Sequence, residues 1–298
     1  MDTAHPSGEL EDGRCEVPAG SAQPATQRSR AAAMFGLLHP VPVVLTIVAA
    51  MAFALAAGHG RPQLLLLARI AVIVLFSQIA IAVFNDICDL EGDSISQPQR
   101  ALPSGSIRLG TAYAIVVICC VVTVSLAMTL GWWSIVLVTL GTALGLSYSV
   151  WFKGSPASWV PFALAFPLLP VWEFGLLHSH VDLLWTIPVV GIPVSVAVHL
   201  SDAIPDREVD AAAGMRGMAT HLESAHIRNI CLGLMLISAM ACLALAKLVP
   251  QGASAVAGAV IAVCMVLVWR MSDSGRNRYL VPAAAIILGS GWIAALSL

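Results

Sequence analysis

Nine residues from Asn85 to Asp93, reading Asn-Asp-Ile-Cys-Asp-Leu-Glu-Gly-Asp, follow directly on an apolar run that ends at Phe84. About 120 residues later a second acidic stretch, Asp202 to Asp210, again follows an apolar run. The chain has 17 acidic residues, and five of them (Asp2, Glu9, Glu11, Asp12, Glu16) lie near its start. Of the remaining 12, eight fall in these two stretches. In a helix each residue turns about 100°, which brings Asp86, Asp89 and Asp93 within about 60° of one another, with Asn85 close by and Glu91 pointing elsewhere. Continued helix through the second stretch would align Asp202, Asp206 and Asp210, which advance about 40° per step. Two facing carboxylate stripes repel unless positive charge lies between them. Mg²⁺ suits such oxygen donors, taking one or two carboxylates and completing its shell with substrate phosphates and water. The expectation is a two-sided metal–phosphate site at one face of a membrane. Polar caps at helix ends would need one carboxylate each, not three on one face, twice.

The elements that carry these stretches are membrane spans. The chain of 298 residues is 58% hydrophobic and 11% charged, with a mean hydropathy of +0.87. A soluble domain of this size would be about 25% charged. The balance predicts an all-α polytopic membrane protein. A net charge of −2 with no basic cluster gives no sign of nucleic-acid binding. The seven cysteines are scattered, without disulfide or metal-ligand spacing, and read as small apolar side chains.

Residues 1–33, rich in Pro, Ser, Gly, Ala and charge, are expected to be a disordered tail, and lack the apolar core of a secretion signal. Residues 34–298 are expected to form the membrane domain. Apolar runs at 36–58, 63–85, 109–130, 132–150, 157–177, 183–202, 229–249, 253–270 and 279–297 predict nine transmembrane helices around a central cavity. With a cytoplasmic N-terminus, the inner segments hold Arg14, Arg28, Arg30, Arg100, Arg108, Lys153, Arg207, Arg216, Arg228, Arg270, Arg276 and Arg278. The outer segments hold only Arg61 and Lys247. This bias obeys the positive-inside rule and puts both acidic stretches on the cytoplasmic side. The repeat of an acidic stretch four spans on suggests two related halves.

Residues 85–105, NDICDLEGDSISQPQRALPSG, resemble the first motif of the UbiA superfamily of intramembrane prenyltransferases, N-D-x-x-D-x-x-x-D followed by a Pro- and Arg-containing tail. Asn85, Asp86, Asp89 and Asp93 fill the motif, and Pro98, Arg100, Leu102, Pro103, Ser104 and Gly105 fill the tail. Ser96, Gln97 and Ala101 depart from it. Asp206 and Asp210 match the family's D-x-x-x-D motif, with Asp202 extending it upstream. Tyr148-Ser149-Val150-Trp151-Phe152-Lys153 is similar to the family's Tyr-Ser-x-x-x-basic segment, here with Gly154, Ser155 and Pro156 where relatives often have further basic residues.

The resemblance implies an enzyme in which the Asp-rich motifs hold Mg²⁺ against a prenyl diphosphate. Asn85, Asp86, Asp89, Asp93, Asp202, Asp206 and Asp210 become candidate metal ligands. Lys153, Arg100 and Arg216 are candidate cations for the leaving diphosphate, and Tyr148 a candidate hydroxyl donor. Asp86, Asp89, Asp206 and Lys153 are the residues expected to carry catalysis. His199, three residues before Asp202 and inside a span, is a candidate for the substrate pocket; His39, before Pro40, is another, as is Glu173 unless it reaches water at its end of the fifth span. Trp132, Trp133, Trp151, Trp172 and Trp185 are expected mostly at the membrane interfaces.

The acceptor stays open: an aromatic or quinone-precursor ring, a phosphorylated sugar, or a glycerol-phosphate lipid. A terpene cyclase on the same scaffold would need none. A divalent-cation transporter would place its carboxylates near the membrane midplane with a polar path outward, whereas the outer connections here are short and nearly uncharged.

Overall fold

In the computed structural model the described residues are 30–177, 182–212, 216–272 and 277–297. They are all helical or irregular, with no strand among them. A short helix α1 (Arg30–Leu37) leads into α2 (Pro40–Ala57) and α3 (Leu64–Cys88). The expected tail thus lies outside the described residues except for its last four, which form the start of α1. Then come α4 (Leu90–Ser96), α5 (Leu109–Met128), α6 (Trp132–Ser147), α7 (Val160–Leu177) and α8 (Thr186–Asp202). The chain ends with α9 (Arg207–Ala212), α10 (Ser224–Leu245), α11 (Gly252–Met271) and α12 (Leu280–Leu296).

Seven of these helices are 18 or more residues long and apolar enough to cross a bilayer: α2, α3, α5, α6 with its extension to Phe152, α7, α10 and α11. Two apolar helices, α8 and α12, have 17 residues each and fall on the sixth and ninth predicted spans. Seventeen residues are about 26 Å of helix, at the lower limit of what spans hydrocarbon. Large apolar side chains face outward around the bundle, among them Val117, Ile118 and Val121 of α5 and Val260 and Val268 of α11. Such surfaces mark an integral membrane protein.

Each long helix packs on the next in chain order, and α12 returns against α2. The described spans therefore close into a ring. Between lipid-soluble helices the attraction comes from close packing rather than from exclusion of water. At the α11–α12 contact, a Cβ on Gly258 would lie 3.0 Å from the Ile287 carbonyl oxygen and 3.2 Å from the Gly291 Cα, so only glycine lets these backbones approach. Ser254 Oγ donates to the Gly291 carbonyl at 3.2 Å across the same seam.

The ring encloses a cavity of about 380 Å³, walled by α2, α3, α6, α7, α8 and α12. Its deep wall includes Phe53, Ile73, Trp172, Ile187, Leu288 and Trp292. Two residues expected near the membrane surfaces lie inside instead. Trp172 is 2% exposed, lines the cavity and donates from Nε1 to Ser134 Oγ at 2.9 Å, so packing between α6 and α7 has claimed it. Glu173, expected to reach water or the pocket, is fully buried, is not among the cavity-lining residues, and neither carboxylate oxygen has a hydrogen-bond partner among the described residues. Trp132, Trp151 and Trp185 are exposed.

Candidate active site

The first acidic stretch begins inside α3 and crosses a joint. Asp89 joins the C-terminus of α3 to the N-terminus of α4, with φ −86° and ψ −4°; its N–H still bonds the Asn85 carbonyl at 2.9 Å and its carbonyl accepts the Asp93 N–H at 2.8 Å. Asp86 and Asp93 are buried, Asn85 and Asp89 are half-buried, and Glu91 and Cys88 are exposed, as the expected stripe requires. Two cations divide the stripe. Arg100 NH1 donates to Asp93 Oδ2 at 2.7 Å and reaches Asp86 Oδ1 at 3.5 Å. Lys153 Nζ pairs with Asp89 Oδ2 and contacts Asn85 Oδ1 at 3.4 Å. Asn85 Nδ2 also donates to Asp89 Oδ2 at 2.8 Å, and Ser149 Oγ to Asn85 Oδ1 at 3.3 Å.

Arg100 is placed by the chain that follows α4. Ala101, Leu102 and Ile107 turn inward and bury against Ala33 and Leu37 of α1, Val83 and Ile87 of α3, and Ala112 and Val116 of α5. The fold-back fixes the guanidinium over the end of α3. Burial alone would lower the Arg100 pKa; the hydrogen bond to Asp93 and the charges of Asp93, Asp86 and Asp89 outweigh it and raise the value. Lys153 is placed by a π-helical turn, Tyr148–Phe152, that extends α6. Its backbone N–H bonds the Tyr148 carbonyl, five residues back, at 2.8 Å. Such wide turns recur at functional sites because they re-aim the side chains on either side.

His39 completes the cluster. It sits between α1 and α2 in a left-handed conformation, φ 45° and ψ 62°, and its Nε2 lies 2.8 Å from Asp86 Oδ1. Left-handed backbone is uncommon for a residue with a Cβ, though His is enriched there.

The second acidic stretch does not form the continuous stripe expected of it. Helix α8 stops at Asp202, residues 203–206 form turns, and α9 begins at Arg207. Pro205 explains the break: it has no N–H to donate and disfavours helical geometry at Ile204. Asp202 and Asp206 are exposed and make no ion pair or hydrogen bond among the described residues. Asp210 belongs to α9, but its side chain lies outside the described residues, as do residues 213–215. Arg216 is exposed, and Gly217 beside it packs close to the Lys153 carbonyl, 3.3 Å from where its Cβ would be.

Tyr148 and His199 join the two stretches. Tyr148 is adjacent to Ser149, which bonds Asn85, and its ring meets His199 edge-on at 6.0 Å and Phe162 at 4.9 Å. The His199 imidazole stacks on Phe162 at 4.3 Å, and its Nε2 is 3.1 Å from Ser158 Oγ. Tyr148, His199 and Asp202 all line the cavity, and Gly217 packs on the Lys153 turn whose amine pairs with Asp89, so both acidic stretches lie at the same end of the ring. Ser158 also accepts the Met218 N–H at 3.4 Å, tying the Lys153 turn to the segment after α9. Ser149 belonged to the Tyr-Ser segment matched in the sequence but had no role assigned there, and Ser158 did not stand out, because a lone serine carries no signal of what it will touch.

Among the described residues no three His, Cys, Asp or Glu side chains gather closely enough to hold a metal ion. The first-stretch carboxylates are instead drawn onto Arg100, Lys153 and His39. What the arrangement offers is a ring-shaped apolar chamber with anionic and cationic groups at one end, suited to a molecule with a charged head and an oily tail.

Comparison with known proteins agrees with that description. The chain is 34% identical over 83 residues to the bacteriochlorophyll synthase 34 kDa chain of Chloroflexus aurantiacus, a match spanning 28% of this chain and 27% of that one. Its fold is similar to that of a UbiA homologue from Archaeoglobus fulgidus solved with DMAPP and Mg²⁺, with a TM-score of 0.71 at 15% identity, covering 89% of this chain and 99% of that one. A UbiA homologue from Aeropyrum pernix K1 superposes with a TM-score of 0.64 at 17% identity over 85% and 97% of the two chains. The family model for UbiA prenyltransferases matches residues 43–288, from the first span to the last, and the chain belongs to that family.

Proposed function

We propose that the protein transfers a prenyl group from a prenyl diphosphate to an acceptor, an aromatic or quinone-precursor ring, and that it needs Mg²⁺ to do so. The observation that carries this is an apolar cavity lined by Tyr148, His199 and Asp202, next to a cluster in which Ser149 bonds Asn85, Lys153 pairs with Asp89 and Arg100 pairs with Asp93. The donor set fits a hard divalent cation: every candidate ligand is an oxygen, and the first-stretch carboxylates already surround positive charge supplied by the chain. Asn85, Asp86, Asp89 and Asp93 would hold metal on one side of the site, and Asp202, Asp206 and Asp210 on the other. Bound there, Mg²⁺ would stabilise the negative charge that develops on the departing diphosphate. The Archaeoglobus homologue, solved with DMAPP and Mg²⁺, supports the assignment.

The chain's own groups do the rest. Lys153 and Arg100 exchange carboxylate partners for diphosphate oxygens, and Arg216 and the Tyr148 hydroxyl extend the same anion site. The C–O bond breaks with its electron pair leaving on the diphosphate. The acceptor supplies the pair for the new bond to carbon and then loses a proton. The apolar walls receive the isoprenoid chain and keep water from the allylic cation. By the positive-inside bias, the N-terminus and both acidic stretches face the cytoplasm.

The test uses purified protein in detergent with Mg²⁺ and a series of prenyl diphosphates, with and without aromatic acceptors and EDTA. The expected outcome is diphosphate release that EDTA abolishes and that yields prenylated acceptor. Cyclic hydrocarbons formed without acceptor would make the protein a cyclase. No turnover of any prenyl diphosphate would overturn the proposal.

A further inference from the structure

The cavity wall carries few polar side chains, and most of them are already engaged. Ser77 and Thr142 share a 2.8 Å hydrogen bond, and Thr142 Oγ1 also donates to the Val138 carbonyl at 2.8 Å in its own helix. Ser195 donates to the Gly191 carbonyl at 2.7 Å, and His199 is held by Ser158. Gln78 differs. Its only polar contact among the described residues is Oε1 to Thr46 Oγ1 at 3.5 Å, and that hydroxyl already donates to the Pro42 carbonyl at 3.0 Å. A contact so long, with its proton committed elsewhere, contributes little. A carboxamide with two donors and an acceptor therefore faces a largely apolar chamber inside a membrane protein. Polar groups in that setting are costly unless something pairs with them.

Position adds to this. Gln78 and Asn85 lie on the same uninterrupted helix, α3. Seven residues turn about 700°, so the two share a face within about 20°, and Gln78 stands about 10 Å deeper. Ile81, between them, also lines the cavity. A molecule seated against Ile81 would have the diphosphate cluster at one end and the Gln78 amide at the other. The charge of the wall narrows what that molecule can be. Among the described lining residues the ionisable ones are Tyr148, His199 and Asp202, all at the end of the acidic stretches, with no Lys or Arg. A carboxylate or phosphate at the depth of Gln78 would be buried without a counterion, which low-dielectric surroundings strongly disfavour.

We infer that Gln78 anchors the second substrate, an uncharged acceptor bearing a hydroxyl or carbonyl oxygen, with its apolar body held between the Gln78 amide and the Asn85–Asp89 cluster. The inference rests on the prenyl-transfer reading above and names the class of acceptor that reading leaves open. It disfavours acceptors whose charged group would enter the chamber. A site built to hydrogen-bond a substrate oxygen discriminates strongly against molecules that lack it.

The experiment takes full-length protein in detergent, anaerobically, with Mg²⁺ and whichever prenyl diphosphate it turns over. Two probes share one ring: hydroquinone, and 4-hydroxybenzoate, in which a carboxylate replaces one hydroxyl. The expected result is prenylation of hydroquinone at least tenfold faster, judged by kcat/KM. Gln78→Leu and the near-isosteric Gln78→Met should each raise KM for hydroquinone tenfold or more and leave KM for the prenyl diphosphate unchanged. That unchanged value also shows that the variants fold. Equal or better use of 4-hydroxybenzoate would overturn the inference, as would unaltered acceptor KM in both variants. Turnover to cyclic products with neither probe prenylated would overturn it too. Absence of Mg²⁺-dependent diphosphate release under every condition would instead sink the proposed function beneath it.

Discussion

Asp86 is buried at 6% exposure and meets both an imidazole and a guanidinium. Both partners meet Oδ1, which leaves Oδ2 unengaged by them and would suit a metal ligand oriented before metal arrives. Replacing Asp86 or Asp206 by Ala should lower diphosphate release at least a hundredfold, whereas Glu91→Ala, on the exposed side of α4, should stay within about threefold; equal losses in all three would remove the distinction between faces. His39 contributes through Asp86. Its left-handed backbone costs about 1–3 kcal/mol for a residue with a Cβ, so glycine there relieves the backbone while deleting the ring. His39→Gly should therefore retain or raise the thermal midpoint and still lose about tenfold in turnover, and His39→Gln, which restores a donor, should recover part of it. Wild-type turnover in His39→Gly would show that only the backbone matters. None of these contacts was readable beforehand. The spacing of Asp86, Asp89 and Asp93 was, because three carboxylates at helical intervals remain on one side whatever they bind, but which cation each one meets depends on how the 97–107 segment and the α6 extension fold back.

The elements that aim the site are short departures from regular helix. The π turn after α6 brings Tyr148, Ser149 and Lys153 into play over five residues. Inserting one alanine after Val150, which is 52% exposed and makes none of the cluster's hydrogen bonds or ion pairs described above, would push Lys153 one residue past its place below Tyr148 and rotate it by about 100°. The expected outcome is at least a tenfold loss of turnover with a thermal midpoint within a few degrees of wild type; unchanged activity would show that Lys153 finds Asp89 without that placement. The second acidic stretch teaches the converse. Periodicity aligned Asp202, Asp206 and Asp210 on an imagined helix, and Pro205 stops that helix two turns short. Proline chemistry was legible and outweighs periodicity where they conflict. Helix α10 begins at Ser224, five residues before its predicted start, because His226 and Arg228 hide a helical turn from hydropathy. Arg228 in fact folds over Trp269 and donates to the carbonyls of Trp269 and Ser272.

At the level of the whole molecule, the nine apolar runs were plain in the sequence because hydrocarbon demands long uncharged helices. Their order around the ring was not, since facing is decided by small residues and isolated polar groups. Gly258 is such a residue. Gly258→Leu would drive its side chain into the backbone of α12 and should destabilise the bundle by about 1–3 kcal/mol. A thermal unfolding midpoint equal to wild type in the same detergent would show that the seam can open at no cost. Gln78 and Trp172 were equally opaque: one is a single amide in a long apolar run, the other a tryptophan that could as well have met the interface. The closure of α12 on α2 has a consequence in time as well as in space. Seven residues of α12, from Pro282 to Ile293, form part of the chamber wall, and α12 is the last of the ring's helices to leave the ribosome. Until it inserts, the nascent bundle is an open crescent whose inner face meets lipid. Chains halted before Leu280 would carry both acidic stretches intact and still have nowhere dry to hold a substrate.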